Sequence, residues 1–299
     1  MDAVVFDLRR LRLLHELSVR GTLAAVADAL AYSPSTISQQ LAQLEREAGV
    51  ALLEPDGRRL RLTAQGEALA AHAARMLDAD ERMRSELERM QPSLAPVRIA
   101  AMQSAVHGLV PRTLGLLAEA APGLRLEVTE LPPEEGLFEL AARGFDLVVA
   151  EQYPGHTREH REGLDRTLLG LDTIRLALGP DDGDVELADL RDRAWVMEPV
   201  GTAAREWATQ QCRAAGFDPD VQFELTDLTA HVRLVAAGHA VAMLPDLVFA
   251  GEPPPVRLAD LPGEPRRDVF TAVRSGSAAR PGIRAVQTTL QRVFDDVAA

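Results

Sequence analysis

The stretch GTLAAVADALAYSPSTISQQLAQL, residues 21–44, decides the fold of the N-terminal region. Thr22 can cap a first helix whose apolar residues recur at helical spacing. Ser33-Pro34 then supplies a hydroxyl cap and a first-turn proline for a second helix. Ala27 stands ten residues before Ile37 and provides the small residue needed where the two helices cross. The spacing therefore predicts a helix-turn-helix unit that places its second helix in a DNA major groove.

Small hydroxyl and amide side chains crowd the N-terminal half of the second helix, opposite an apolar face formed by Ile37, Leu41 and Leu44. Such side chains suit phosphate contacts and base-edge hydrogen bonds. The alternative is an ordinary pair of amphipathic helices in a bundle. In the DNA-binding interpretation, the contacts come from Thr22, Ser33, Ser35, Thr36, Ser38, Gln39 and Gln40.

Residues 51–63 are typical of a β-hairpin, or wing, that turns at Pro55-Asp56-Gly57. In the segment RRLRL, residues 58–62, leucines alternate with arginines, so that one face packs and the other is basic. The basic face could reach the DNA backbone or minor groove through Arg58, Arg59 and Arg61. The alternative is that these arginines are solvated on a surface hairpin.

Thr63 can cap a long helix that runs to about Met90. Apolar residues recur along it every seven positions, which is the repeat of a two-stranded coiled coil, although Asp80 interrupts the second row. The alternative is a helix that lies across the larger domain. In the coiled-coil interpretation, dimerisation involves Leu69, Met76, Met83 and Leu87. Pro92 and Pro96 end the helix and form the linker.

From Val97 onward, strands alternate with helices, which indicates an α/β domain. Strands are predicted at 97–102, 124–131, 145–151, 173–179, 222–225, 240–245 and 266–274, with a further strand within 188–199. Helices are predicted from 103 toward 117 and near 135–143, 203–215, 230–237 and 281–297. The strand at 173–179 opens a second subdomain, and the strand at 266–274 returns to the first.

Residues 6–62 resemble the N-terminal domain of LysR-type transcriptional regulators, through LRRLRLLHELSVRGTLAAVADAL, SPSTISQQLAQLEREAGVALLE and GRRLRLTAQGEAL. The C-terminal part resembles the effector-binding domain of the same family, through LVPRTLGLLAEAAPGLRLEV, FDLVVA and LVAAGHAVAMLPDLV. Three local departures bear on base preference. The family often has Gln-Pro-Ala at Pro34-Ser35-Thr36, Arg at Gln39, and an Arg-Thr or Arg-Ser pair at Pro55-Asp56.

The resemblance implies an N-terminal all-α winged helix-turn-helix domain with a long linker helix, and a C-terminal α/β two-subdomain effector-binding domain that is similar to periplasmic binding proteins. The expected divisions are 1–62, 63–92 and 93–299. Within the last, subdomain 1 takes about 93–165 and 266–299, and subdomain 2 takes about 166–265. The implied partners are double-stranded DNA, a small-molecule effector and further copies of the chain in a homodimer or homotetramer, with RNA polymerase as a candidate.

Ligands of open α/β domains settle where strands end and helices begin. Three such junctions stand out, after the strands at 97–102, within 188–199 and at 222–225. Each junction taken alone is explained by helix capping. Carboxylates would suit the helix termini, whereas Glu151 and Asp227 could select a cationic or hydroxylated ligand. The resemblance implies that the junctions converge on one cleft between the subdomains. The expected effector-binding residues are Gln103, Ser104, Glu151, Val200, Gly201, Thr202, Thr226 and Asp227.

The chain has a net charge of −13, yet residues 1–62 balance eight arginines against eight acidic residues. The acidic excess therefore lies away from the DNA-reading end, and phosphate binding is compatible with the charge. All 32 basic residues are arginine, and there is a single cysteine, Cys212. One cysteine and the lack of a recognisable secretory signal or membrane span favour the cytoplasm.

Motifs of catalysis, nucleotide binding or zinc coordination are missing from the sequence, so we expect no enzyme activity, cofactor or metal. His156 and His160 stand four residues apart, but their polar surroundings indicate a surface segment instead of a metal site. The sequence thus predicts a LysR-type DNA-binding regulator whose promoter binding responds to an effector. The alternatives are a small-molecule-binding protein or enzyme built on the α/β domain, and a regulator without a ligand.

Overall fold

The computed structural model describes residues 5–57, 59–91, 94–157, 161, 163–250 and 252–298. These residues form an N-terminal helical unit with a small hairpin, a long helix, and a larger α/β region. The predicted fold class is confirmed, since the winged helix-turn-helix, the long helix and the α/β domain are all present. Arg58, Pro92 and His160, which the sequence analysis singled out, lie outside the described residues.

The N-terminal unit and the long helix follow one another as α1 (Leu8–Arg20), α2 (Leu23–Leu30), α3 (Pro34–Ala48), β1 (Leu53–Asp56), β2 (Arg59–Leu62) and α4 (Ala64–Glu88). The predicted caps form. Thr22 Oγ1 accepts a hydrogen bond from the Ala25 amide at 3.2 Å, and Ser33 Oγ accepts one from the Thr36 amide at 3.1 Å. These local bonds satisfy amides that the first turns would otherwise leave unpaired.

The helices of the motif cross on a dry core. Ala27 and Ile37 are 1% and 0% exposed, as the spacing between them predicts. Leu11 and Leu14 of α1 are fully buried in the same cluster. Each buried leucine contributes about 2 kcal/mol to the stability of the unit. Tertiary burial therefore fixes the angle at which α3 is presented.

Helix α4 has three differently used faces. Ala70, Ala73 and Leu77 are buried in or beside the N-terminal core, and α1 packs along them. Met83 and Leu87 are 53% and 54% exposed on another face. The buried face shows that α4 packs within its own chain, and the exposed apolar face leaves the coiled coil a prediction.

The third face of α4 carries acidic residues that meet arginines of the α/β region. Asp78 and Glu81 each lie 2.6 Å from the guanidinium of Arg143, and Glu81 also accepts from Arg274 Nε at 2.9 Å. A Cβ added to Gly276 would lie 2.8 Å from the Asp78 carbonyl oxygen, so the loop around Gly276 approaches the helix closely. The long helix is thus joined to the α/β region by ion pairs and close packing.

The α/β region continues as β3 (Val97–Ala101), α5 (Gln103–Gly108), α6 (Val110–Ala120), β4 (Leu126–Glu130), α7 (Pro133–Ala141), β5 (Leu147–Gln152), β6 (Leu164–Leu178), β7 (Ala194–Met197), α8 (Ala203–Ala214), β8 (Asp220–Glu224), α9 (Leu228–Ala236), β9 (Ala242–Pro245), β10 (Arg257–Asp260), β11 (Arg266–Arg274) and α10 (Pro281–Ala298). Short 3-10 helices lie at Leu187–Leu190 and Asp246–Val248.

The first subdomain is a mixed sheet in the order β6-β11-β5-β3-β4. Strand β3 runs parallel to β4 and β5, and β11 runs antiparallel to β5 and β6. In the second subdomain, β9 and β10 pair with the end of β6, and β7 pairs in parallel with β8. Parallel strands bring their carboxyl ends to one edge, which is where the sequence predicts a ligand site.

Strand β6 corrects the predicted division of the domain. The sequence analysis began a strand at 173, but β6 starts at Leu164 and runs through both subdomains. Residues up to Thr173 pair with β11, and those from Ile174 pair with β9, so the crossing lies near 173 and not near 165. Gly170 weakens the strand signal. A Cβ at this position would lie 2.3 Å from the Phe294 ring of α10, so the close packing of this helix requires glycine.

Two smaller differences also have local causes. The helix predicted from 103 toward 117 is divided into α5 and α6 at Leu109, because Pro111 cannot donate the hydrogen bond that would continue a single helix. Strand β10 was not predicted, since its short segment carries little alternation. In the described part of the chain, no helix combines the length and apolar character needed to cross a bilayer.

Candidate functional site

The first candidate site is the exposed start of α3. Ser35, Ser38 and Gln39 are exposed, whereas Thr36 is half-buried. Ser33 Oγ lies 2.8 Å from both the Ser35 and the Thr36 hydroxyls, so the cap and its neighbours form one hydroxyl cluster. This polar surface at a helix N-terminus offers hydrogen-bond donors to phosphate oxygens and base edges.

Gln40 differs from Gln39 in its surroundings. The Gln40 side chain is half-buried, and its Oε1 accepts a hydrogen bond from Arg10 Nε of α1 at 3.1 Å. Arg10 also pairs with Glu47 further along α3. Gln39 is therefore the more available of the two glutamines for a base edge, while Gln40 helps to hold α1 against α3. Thr22 is similarly occupied as the cap of α2.

The wing folds as predicted, with Leu53 opposite Leu62 and Glu54 opposite Arg61. Gly57 adopts a φ of +60° at the turn, a conformation that favours glycine. Arg61 is exposed and forms a 2.6 Å ion pair with Glu54 across the hairpin. The wing arginine thus has an acidic neighbour, which DNA phosphates would have to displace.

The base of the wing is tied to α3 by a residue that the sequence analysis missed. Glu45 Oε1 accepts hydrogen bonds from the Leu52 and Leu53 amides at 2.8 and 3.1 Å. Because Glu45 belongs to the same helix as Gln39, the wing and the exposed helix start are held in a fixed relation. Glu45 has no sequence signal of its own beyond its place before the hairpin.

The second candidate site is a cleft of about 310 Å³ between the two subdomains of the α/β region. Its size suits a small molecule. Of the predicted effector-binding residues, those that line the cleft are Gln103, Ser104, Glu151, Thr202 and Thr226. The remaining predicted residues are not part of the lining. Val200 is 77% exposed, Gly201 forms a turn, and Asp227 caps α9 by accepting from the Thr229 amide at 2.8 Å.

Arg267 of β11 is the buried cation of the cleft and was not predicted. It is 3% exposed, and it donates to Asp172 at 2.9 Å and to Ser104 Oγ at 2.6 Å. Burial opposes its charge, but Asp172 and Glu151 outweigh that effect and hold the pKa of Arg267 above its ordinary value. Its place in an Arg-Arg pair at a strand start gave no signal that one of the two points inward.

Glu198 follows β7 and is another charged lining residue that was not predicted. Burial, together with the carboxylate of Glu151, raises the pKa of Glu198 to about 7. Glu198 stands at the same strand-to-helix junction as Thr202, so extending that junction by a few residues would have found it. The cleft therefore contains a carboxyl group that is about half protonated near neutral pH.

Gln103 bridges the two sides of the cleft. Its Oε1 accepts from the Leu228 amide at the start of α9 at 2.6 Å, and its Nε2 donates to Glu130 at 3.4 Å. Gln103 follows β3 in the first subdomain, and Leu228 belongs to the second. This hydrogen bond joins the two subdomains beside the cleft and uses an α9 amide that a ligand would otherwise contact.

Two potentially reactive side chains, His156 and Cys212, lie in surroundings that do not favour metal binding or thiol chemistry. His156 Nδ1 lies 3.8 Å from Glu206, and within the described residues no cluster of three or more potential ligands could hold a metal ion. Cys212 is 0% exposed in the core of the second subdomain, and burial raises the pKa of its thiol to about 12. A thiol in this state reacts slowly with oxidants.

Comparison with known proteins shows that family models match the regions of both candidate sites. A family model described as a bacterial regulatory helix-turn-helix protein of the lysR family matches residues 8–67, and one described as the LysR substrate binding domain matches residues 91–295. The transcriptional dual regulator GltC of Bacillus subtilis is 30% identical over 255 residues, which cover 83% of this chain and 83% of GltC.

Solved structures show the same fold along nearly the whole chain. A full-length variant of OxyR from Pseudomonas aeruginosa has a TM-score of 0.68 at 21% identity, covering 97% of this chain and 95% of that one. Full-length CbnR in complex with its target DNA has a TM-score of 0.55 at 22% identity, covering 97% of this chain and 100% of that one. The candidate DNA-reading face and the cleft thus lie in the two domains that the family models describe.

Proposed function

The chain belongs to the LysR family and is a DNA-binding transcriptional regulator, and we propose that it binds its promoter as a homodimer or dimer of dimers under the control of a small molecule in the cleft. The observation that carries the proposal is the exposed polar start of α3 beside a wing that Glu45 holds in place. A rigid pairing of these two elements suits simultaneous contact with a major groove and the neighbouring backbone.

The DNA contacts divide by role. Gln39 is exposed and can form two hydrogen bonds with an adenine edge, so we assign base reading to it. We assign phosphate contacts to the hydroxyl cluster of Ser33, Ser35 and Thr36, with Ser38 beside it. The wing arginines contribute sequence-independent attraction, which salt weakens.

Dimerisation is assigned to the exposed apolar face of α4. Met76, Met83 and Leu87 are 45%, 53% and 54% exposed in the single chain, while Leu69 is half-buried against the N-terminal core. Large apolar side chains repeated along a 25-residue helix are costly to leave in water. A second copy of the helix covers them and places two recognition helices on a site of two-fold symmetry.

Effector control follows from differential binding. A ligand shifts the arrangement of the subunits only if it binds one arrangement more tightly than another. The ion pairs of Arg143 and Arg274 with α4 join the first subdomain to the dimerisation helix, so a change at the cleft can reach the DNA-binding units. We include RNA polymerase as a candidate partner because the named relative regulates transcription.

We propose that the chain acts in the cytoplasm by binding alone, without catalysis. The Oγ of Ser104 accepts a hydrogen bond from Arg267, and a guanidinium cannot serve as the general base that would activate this hydroxyl. The burial of Cys212 and the raised pKa of its thiol argue against redox chemistry at this residue. The cleft therefore supports recognition of a ligand more than its conversion.

Footprinting of the purified protein on DNA immediately upstream of its own gene, across a salt series, tests the proposal. We expect a protected and roughly symmetric site that weakens as salt rises. Gln39→Ala should abolish protection, whereas Gln210→Ala, an exposed glutamine of α8, should leave it unchanged. Failure to protect either this DNA or any member of a random-sequence library would overturn the proposed DNA role.

A further inference from the structure

We propose that the effector of this chain is a small organic cation, an amine or a guanidine with a short apolar body, held between Glu151 and Glu198. This inference rests on the proposed role of the cleft as the effector site and names the chemical class that the cleft accepts. It follows from the charges that line the cleft and from the partners of its arginine.

The two carboxylates approach the cleft from opposite subdomains. Glu151 lies on β5 of the first subdomain and is 9% exposed, and Glu198 follows β7 of the second. Both belong to the lining of the same cavity. A cation between them would bond to both subdomains at once, as a ligand that sets their relative arrangement must do.

The lining as a whole is acidic. Its described residues include four carboxylates, since Glu130 and Glu134 stand exposed at the mouth and Glu151 and Glu198 lie further in. Arg267 is the one basic residue among these lining residues. An anionic ligand would therefore meet like charges on entering, whereas a cation is attracted from the mouth inward.

Arg267 offsets these carboxylates only in part, because its single charge is attracted by Asp172 as well as by Glu151. Asp172 accepts from Nε at 2.9 Å, and Ser104 accepts from Nη2 at 2.6 Å. Asp172 is 5% exposed and supplies a full counter-charge beside the arginine. A carboxylate ligand would have to share this guanidinium with Asp172, which already supplies its counter-charge, so the gain from a second anion is small.

Beside the polar Gln103, Ser104, Thr202 and Thr226, the remaining lining is apolar and sets the body of the ligand. Leu131, Pro132 and Pro133 form one side, and Ala203 and Leu228 belong to the other. The side chains of these residues carry no hydrogen-bonding groups, so they suit short methylene chains. The combination of an acidic interior and apolar walls fits an alkylamine or alkylguanidine.

Binding of a cation also has a distinctive proton signature. Glu198 is faced by Glu151 and Glu134, by Arg267 from β11, and by Arg205 of α8, which donates to the Glu198 carbonyl oxygen at 3.0 Å. Burial and the two carboxylates raise the pKa of Glu198 to about 7, so it carries a proton about half of the time at neutral pH. A bound cation favours the charged carboxylate and releases that proton, whereas an anion draws a proton in.

Calorimetry on the full-length protein tests the proposal with matched probes. Putrescine, cadaverine and agmatine represent the cations, succinate and glutarate the anions, and butanediol and pentanediol the neutral analogues of similar length. We expect saturable binding of at least one cation at neutral pH, with proton release seen as a dependence of the heat on the ionisation enthalpy of the buffer. Anions and diols should give no saturable heat.

Variants locate the binding. Glu198→Gln and Glu151→Gln should each lower the affinity for the cation on the order of thirtyfold. Glu119→Gln, which changes an exposed glutamate of α6 outside the cleft, should not weaken it. Circular dichroism of each variant establishes that it is folded. Equal affinity in Glu198→Gln and wild type would overturn the assignment of the site.

The remaining outcomes also decide the matter. Binding of a dicarboxylate, or no binding by any of the cations, overturns the inference about ligand class. The footprint on upstream DNA is recorded with the same preparations, first without any ligand and then with each probe, because the unliganded protein should protect its site and an effector should alter that protection. A dicarboxylate that alters the footprint would leave the proposed function standing and refute only the cationic effector, whereas a missing footprint would refute the proposed function itself.

Discussion

Glu81 provides the sharpest test of how the long helix is joined to the α/β region. Its carboxylate lies 2.6 Å from Arg143 Nη1 and 2.9 Å from Arg274 Nε. Both arginine side chains are nearly buried, at 9% and 6% exposure, and Glu81 itself is 18% exposed. We expect Glu81→Ala to destabilise the protein strongly, because it removes a carboxylate shared by two buried guanidinium groups.

The magnitude follows from what the arginines retain. Breaking a buried ion pair by removing one partner costs about 3–5 kcal/mol. Arg143 keeps Asp78 at 2.6 Å, and Arg274 keeps Asp146 at 3.7 Å, so the lower end applies. Burial already lowers the pKa of Arg274, against which Glu81 acts. A loss of about 3 kcal/mol lowers the unfolding temperature of a domain of this size by about 6–12 °C.

Differential scanning calorimetry of the full chain measures this shift, with Asp80→Ala as the matched control. Asp80 is the neighbouring acid on the same helix, and it pairs at 2.7 Å with Arg84, whose side chain is 66% exposed. A solvent-exposed pair of this kind contributes about 0.5 kcal/mol or less, or about 1–2 °C. Equal shifts for the two variants would refute the reasoning, since they would show that burial of the arginines does not govern the energy.

Three further predictions address the cleft, the wing and the oligomer. Because the folded pKa of Glu198 is raised to about 7, the native state binds a proton that the unfolded state has lost, and wild-type stability falls as pH rises from about 5 to 7. In urea denaturation, Glu198→Gln should therefore be more stable than wild type by about 3 kcal/mol at about pH 8 but not at about pH 5. Identical pH profiles for the two proteins would contradict the raised pKa. Gly66→Ala should cost on the order of 2 kcal/mol and weaken DNA binding, because its Cβ would lie 2.1 Å from the Leu52 carbonyl oxygen, whereas Gly115→Ala, with nothing within 4 Å, should be neutral or stabilising in thermal melts. Met83→Glu should shift sedimentation equilibrium from dimer toward monomer, and an unchanged dimer would place the interface elsewhere.

The parts of the fold that the sequence predicted are those governed by local chemistry. Thr22 and Ser33 bond to amides three residues ahead, and Gly57 takes the positive φ of the wing turn, so each signal and its structural consequence lie within a few residues. Strand β6 was only half predicted, because its first half is stabilised by pairing with β11, which lies about a hundred residues later in the sequence. Long-range pairing of this kind leaves little trace in local composition.

The cleft shows the same limit. Gln103 and Thr202 were found because they follow strands and begin helices, which is a local signal. Arg267 was missed because its role depends on Asp172 of β6 and Ser104 after β3, neither of which is near it in sequence. Val200 was included only because it stands close to the helix start at Thr202. The turn at Gly201 leaves the Val200 side chain exposed and outside the cleft.

The single cysteine has a practical consequence. Cys212 is fully buried in the core of the second subdomain, and the sequence has no lysine. A thiol reagent added to the native protein can therefore react with Cys212 only when that core opens. No lysine side chain is present to consume the reagent in a side reaction. The rate of labelling at Cys212 thus reports the opening of one subdomain in the intact molecule, without any substitution or attached probe. Tight binding of a ligand across the cleft would slow this rate, so the chain carries its own indicator of effector occupancy.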